Sequence, residues 1–137
     1  MKKLLSFPLA LRVSILITVL LCLLHLSVII GIVFFGFAPV EFLWGGRMET
    51  ADQLLNFEIS SLISSLVVLF LLLVHSGWLH MPKMTKVSKI AMWVLFVLFL
   101  LNTIGNLLAT SAFERGFAVV SALLAVCLLR IALEKKE

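Results

Sequence analysis

Apolar residues in this chain do not alternate with polar ones; they run on. Residues 13–36 form an apolar stretch without one formally charged side chain, and 90–109 form a second. Two further stretches are interrupted: 57–79 carries Glu58 at one end and His75 near the other, and 117–133, the weakest, contains Arg130, whose long side chain near the helix end can snorkel to the headgroups. A hydrocarbon core of about 30 Å takes about 20 helical residues to cross, and hydrocarbon offers the backbone no hydrogen-bond partner outside its own helix. The four runs therefore predict four membrane-spanning helices, placed with their caps at about 13–36, 51–79, 89–110 and 116–133. The fold class that follows is an all-α membrane protein: a four-transmembrane-helix bundle forming one integral membrane domain over 1–137.

Composition agrees with this pattern. The chain of 137 residues is 63% hydrophobic and 13% charged, against about 45–50% and 25% in soluble domains. A soluble domain of this size has too few charges here to cover its surface, so the solvent is lipid. That excludes a secreted disulfide scaffold, a cytosolic enzyme and a disordered segment. Met1-Lys-Lys3 before an apolar run is also how a signal peptide opens. However, the run exceeds the usual h-region of about 7–15 residues, and its only small-x-small site, Gly36-Phe-Ala38, is followed by Pro39, so a retained helix is expected.

Charge sets the expected orientation. Lys2, Lys3 and Arg12 precede the first helix, Lys83, Lys86 and Lys89 lie between the second and third, and Arg130, Lys135 and Lys136 close the fourth. These nine of the eleven basic residues share one face, leaving Arg47 and Arg115 for the other. Positive residues stay on the cytoplasmic side. Both termini are thus expected in the cytoplasm, in a multi-pass protein of the bacterial inner membrane. Glu41, Glu49, Asp52, Glu58 and Glu114 fall outside.

The basic charge does not point to nucleic acid, because the Lys and Arg residues are dispersed and the Phe residues lie in apolar runs. Cys22 and Cys127 stand apart without a C-x-x-C or a His at ligand spacing, so neither a metal nor a cofactor is expected. Haem would need two axial ligands at one depth, whereas His25 is expected near the bilayer centre and His75 and His80 at the inner interface.

The first external connection, residues 37–50, is expected to be structured. Thr50-Ala-Asp-Gln53 has capping-box spacing, with Thr50 accepting from the third backbone N–H and Gln53 reaching back, so a helix starts there. Gly45-Gly46 permits a tight turn, and Phe42, Leu43 and Trp44 suit the interface. Gly45-Gly46-Arg47 reads as a turn with a solvated Arg, or alternatively as a small anion nest.

Polar side chains inside lipid need partners, so they mark where function can reside. The first helix carries Ser14, Thr18, Cys22 and His25 on one stripe, the second Glu58, Ser61 and Ser65 with Ser60 and Ser64 beside them, and the third Asn102 and Asn106. Segment midpoints and a rise of about 1.5 Å per residue place His25 at the centre, Ser65 and Asn102 about 4 Å outward, Ser61 and Asn106 about 10 Å, and Glu58 about 15 Å. The expectation is a polar ladder with Glu58 at its mouth and His25 at its floor, too far apart to form a dyad. Against it stand plainer readings: the Ser-x-x-x-Ser pairs as close-packing faces, and the Asn residues as fasteners between helices.

The strings Leu43-Trp-Gly-Gly-Arg-Met-Glu49, Phe57-Glu-Ile-Ser60, Leu101-Asn-Thr-Ile-Gly-Asn106 and Phe113-Glu114 resemble an uncharacterised family of small four-pass bacterial membrane proteins. That resemblance spans nearly the whole chain and implies no activity; it directs attention to the loop, Glu58 and the Asn pair. A more distant likeness is to the EXPERA membrane domain, whose members include sterol isomerases. This chain departs from it in having no acid in its first helix.

The function these residues suggest is binding of a small or lipidic ligand in an outer-half pocket of Glu58, Ser61, Ser65, Asn102, Asn106, His25, Trp44 and Arg47, or a part in its transport. The expected partners are membrane lipid and that ligand. The alternatives are an assembly subunit that binds its own copies or another membrane protein, and a lipid-modifying enzyme using Glu58 or His25 as acid or base. The enzyme ranks last because neither residue has an expected catalytic partner.

Overall fold

A computed structural model of the chain describes residues 5–134. Four helices account for most of it: α1 (Phe7–Phe35), α2 (Ala51–Ser76), α3 (Thr85–Leu107) and α4 (Ala112–Ala132). Each is long and apolar enough to cross a membrane, and there is no strand among the described residues. Lys2, Lys3, Lys135 and Lys136 lie outside the described residues.

Local chemistry explains where the helices differ from the hydropathy runs. α1 starts at Phe7, six residues before the uncharged run, because the Ser6 hydroxyl accepts the Leu9 N–H at 3.4 Å and Pro8 suits a first turn. Arg12 is carried inside the helix on its exposed face. α2 starts at Ala51 as the capping box requires: Thr50 Oγ1 accepts the Gln53 N–H at 3.2 Å, and Gln53 Oε1 accepts the Glu49 N–H at 2.9 Å. It ends three residues short of 79, at Gly77, whose φ of 83° reverses the chain while Leu79 N–H closes back onto the Leu73 carbonyl. α3 begins and ends a few residues earlier than expected. Ser111, which accepts the Glu114 N–H at 3.1 Å, starts α4 at Ala112.

The helices form a ring in chain order, with α1 against α2, α3 against α4 and α4 closing onto α1. α2 and α3 touch least, which leaves a seam. Ala10, Ile17, Val68, Leu72, Met92, Leu95, Leu124 and Leu128 are among the residues that fill the core. α4 is half buried over its spanning window, against 17–22% for the other helices. The helix with the least apolar run is therefore the one most enclosed by protein.

Two polar residues sit differently from expectation. Arg130 does not snorkel toward headgroups; it is 4% exposed, with Nε donating to the Leu5 carbonyl at 2.9 Å and Nη1 to Glu134 at 2.6 Å. The start of the described chain lies across α4 and supplies an acceptor the side chain would otherwise seek in the headgroups. His75 is buried rather than interfacial: Nδ1 lies 3.3 Å from Ser88 Oγ and the ring lies against Phe7. Early starts of α1 and α3 provide both neighbours. His80 is exposed as expected.

Candidate functional site

At the end of the bundle that carries the 36–50 loop, the ring opens into a cleft of about 450 Å³. His25 from α1, Glu58, Ser61 and Ser65 from α2, Asn102 and Asn106 from α3, and Trp44 from the loop all line it. Seven of the eight expected site residues thus share one cavity; Arg47 is exposed and is not among the residues that line it. The Gly45-Gly46-Arg47 segment is a turn, and the Gly45 N–H in it meets the carboxylate of Glu114.

The ladder geometry needs correction. His25 Nδ1 and Glu58 Oε2 are 2.7 Å apart, so floor and mouth are one contact. The depth estimate failed because it took the apolar runs as the helices. With α1 starting at Phe7 and α2 at Ala51, the midpoint of α1 moves away from His25 and that of α2 moves toward Glu58. Each residue then lies about 6–8 Å from its helix centre on the same side, at about 1.5 Å per residue. The stripe on α1 is real: Ser14 and Thr18 are buried, and Thr18 donates to the Ser14 carbonyl at 2.8 Å.

Glu58 is the hub. It is 2% exposed, and its second oxygen accepts the Trp44 indole N–H at 2.9 Å. A buried carboxyl is held without penalty only when both oxygens are partnered, and here three elements converge to do so. The loop is fastened at a second point, where Gly45 N–H donates to Glu114 Oε1 at 2.6 Å; Glu114 Oε2 accepts the Ser111 hydroxyl at 3.1 Å. Trp44, Gly45 and Gly46 have φ of 56°, 70° and 64°. Left-handed backbone costs a non-glycine residue about 1–2 kcal/mol, so Trp44 is strained where its indole reaches Glu58. Trp44 also packs its ring on Phe57 at 5.4 Å between centroids.

Sequence reasoning missed Glu114 as a site residue. Its signal was Ser111-Ala-Phe-Glu114, a capping-box spacing that fixes the carboxylate at the start of α4, where it meets the loop.

The opposite wall is amide and hydroxyl. Asn106 Nδ2 reaches Ser121 Oγ at 3.4 Å, and Thr103 donates to the same hydroxyl at 3.1 Å, so Asn106 does fasten α3 to α4. Asn102 is exposed and has no hydrogen bond among the described residues. Ser60 and Ser64 do not pack helices together; they are exposed, each donating to a carbonyl of its own helix at 2.8 Å. The pairs Ser61 with Asn106 and Ser65 with Asn102 face the same cavity without a hydrogen bond between them among the described residues.

A second cavity of about 440 Å³ adjoins the first and shares Leu21, Ser64, Ser65, Phe99 and Asn102 with it. Its remaining walls are mostly apolar, including Ile63, Val67, Val68, Leu95 and Leu98, and it follows the α2–α3 seam. The whole gathers its polar side chains toward the loop end and is apolar toward mid-bundle. Comparison with protein families, with curated proteins and with solved structures finds no match for this chain.

Proposed function

We propose that the protein binds a small or lipidic ligand in this cleft, as a multi-pass protein of the bacterial inner membrane with both termini cytoplasmic and the 36–50 loop outside. The observation that carries the reading is the union of two mostly apolar cavities, of which the one at the loop end also gathers polar side chains. One end offers His25 and unpaired amide and hydroxyl groups, and the other offers aliphatic side chains. Cavities of about 300–1,000 Å³ with few placed polar groups are the usual form of a ligand site. Unpartnered Asn102 adds to this, since a polar group in hydrocarbon is costly until something pairs with it.

The imidazole and carboxylate at 2.7 Å have the arrangement of an oriented base. A substrate hydroxyl or a water at the other ring nitrogen would complete it, so the lipid-modifying enzyme stands as the second reading beside binding. Assembly through the uncovered α2 face would instead hide the same Ser and Asn residues beneath another helix.

Cysteine labelling separates a pocket from an assembly face. With Cys22 and Cys127 replaced by Ala, single cysteines at Ser61, Ser65 and Asn106 are expected to react with a small maleimide in membranes. A bulky impermeant maleimide on intact cells is expected to reach cysteine at Arg47 but not at Lys86. Unreactive cleft positions would sink the pocket, and the reverse sidedness would sink the orientation.

A further inference from the structure

The polar end of the cleft also specifies a head group, given the pocket reading above. Glu58 Oε1 takes the indole N–H of Trp44, which can only donate. If Oε2 accepts in the same way from a neutral ring, His25 Nδ1 carries the proton and Nε2 keeps its lone pair. Nε2 has no partner among the described residues and is not among the buried unpartnered atoms, so it is accessible, on a residue that lines the cleft. An acceptor placed there asks for a donor from the ligand.

Charge narrows the choice. Two carboxylates, Glu58 and Glu114, line the cleft, His25 lies against Glu58, and among the described residues no Lys or Arg lines it. In a low-dielectric site, a phosphate or carboxylate head would meet like charge without a counterion. Asn102 can both donate and accept, and the exposed Ser60 and Ser64 hydroxyls, whose protons go to carbonyls of their own helix, keep lone pairs that can accept, which suits a neutral polar head. The access route follows from the loop. Trp44 and Gly45 are pinned to α2 and α4 at the loop end, whereas the α2–α3 seam is loosely packed and its cavity runs along apolar walls.

We propose that the cleft takes a lipid with an uncharged hydroxyl head, entering sideways from the bilayer between α2 and α3, with its hydroxyl donating to His25 Nε2 and its chain along Ile63, Val67 and Leu98. The ligand class is a long-chain alcohol in the chemical sense, not a phospholipid or a fatty acid.

The test uses the full chain purified in detergent and three probes sharing one tail: 1-hexadecanol, hexadecanoic acid and hexadecyl phosphate, with adducts counted by native mass spectrometry. Hexadecanol is expected to bind at least about tenfold more tightly than either anion, a gap of about 1.4 kcal/mol. His25→Phe is expected to weaken hexadecanol binding by about tenfold while the chain stays helical. Ser64→Phe, at an exposed position on the seam, is expected to slow or abolish loading. Tighter binding of the acid or phosphate overturns the inference, as does an unchanged hexadecanol affinity in His25→Phe. If no probe binds while cysteines at Ser61 and Asn106 still label, the hydroxyl inference falls and the pocket stands; if those cysteines are unreactive, the pocket itself falls.

Discussion

At the scale of single residues, Glu58 does more than any other polar group described. Its two oxygens join α1, α2 and the loop, because one lies 2.7 Å from the His25 Nδ1 and the other takes an indole N–H. Glu58→Leu would strand both partners in a site that is 2% exposed. Both partners are only part-buried, so each costs toward the low end of the about 1–3 kcal/mol for an unsatisfied buried group, and a loss of about 1–2 kcal/mol is expected in reversible unfolding in mixed micelles. Glu58→Gln keeps one acceptor oxygen and should cost about 1 kcal/mol, in line with the modest strength of polar contacts between membrane helices. Equal stability of both variants and the parent would mean that the three-way contact does not form. The residue types were readable in the sequence as rare polar positions in lipid; their pairing was not, because a pairing depends on helix starts that hydropathy does not mark.

Elements show why. Caps fixed the helix starts, and the sequence displayed some of them. Thr50 and Gln53 placed the first residue of α2 where the structure has it, whereas Ser6 and Ser111 start α1 and α4 four to six residues before the expected positions. Shifting a helix start by six residues moves its midpoint by about 4–5 Å, and the displaced midpoints of α1 and α2 together close most of the roughly 15 Å expected between His25 and Glu58. The loop is the element most dependent on special backbone. Gly45 has φ of 70°, and a Cβ there would also meet the Arg47 side chain at 3.6 Å. Gly45→Ala is expected to cost about 1 kcal/mol from the left-handed backbone and to loosen the Glu114 contact. Faster amide exchange at residues 43–47, with exchange in α2 unchanged, would show this; unchanged loop exchange would show that Gly45 holds nothing closed. Nothing about Trp44 in the sequence announces a left-handed residue, since its strain is offset by a contact made with another element.

For the whole molecule, lipid as solvent changes which side chains matter. Hydropathy identified the four spans because satisfying the backbone in hydrocarbon requires helices, and it ranked α4 weakest. Yet α4 is the most enclosed, because a helix packed between α3 and α1 needs fewer apolar residues than one facing lipid. The seam between α2 and α3 had no sequence signal of its own: the Ser and Asn residues that line it are the same types that close-pack helices. Between protein and lipid there is little hydrophobic drive, so packing decides stability. Leu124 on α4 is 0% exposed, and Leu16 on α1 is 59% exposed. Leu124→Ala opens a cavity in the core and should cost about 2–4 kcal/mol. Leu16→Ala replaces a contact with lipid by a contact with lipid and should cost well under about 0.5 kcal/mol, within the range of surface changes. Both are measurable by unfolding in mixed micelles. Equal costs would mean that α1 is covered on its outer face, and the assembly reading would then take precedence over a solitary bundle with an open seam.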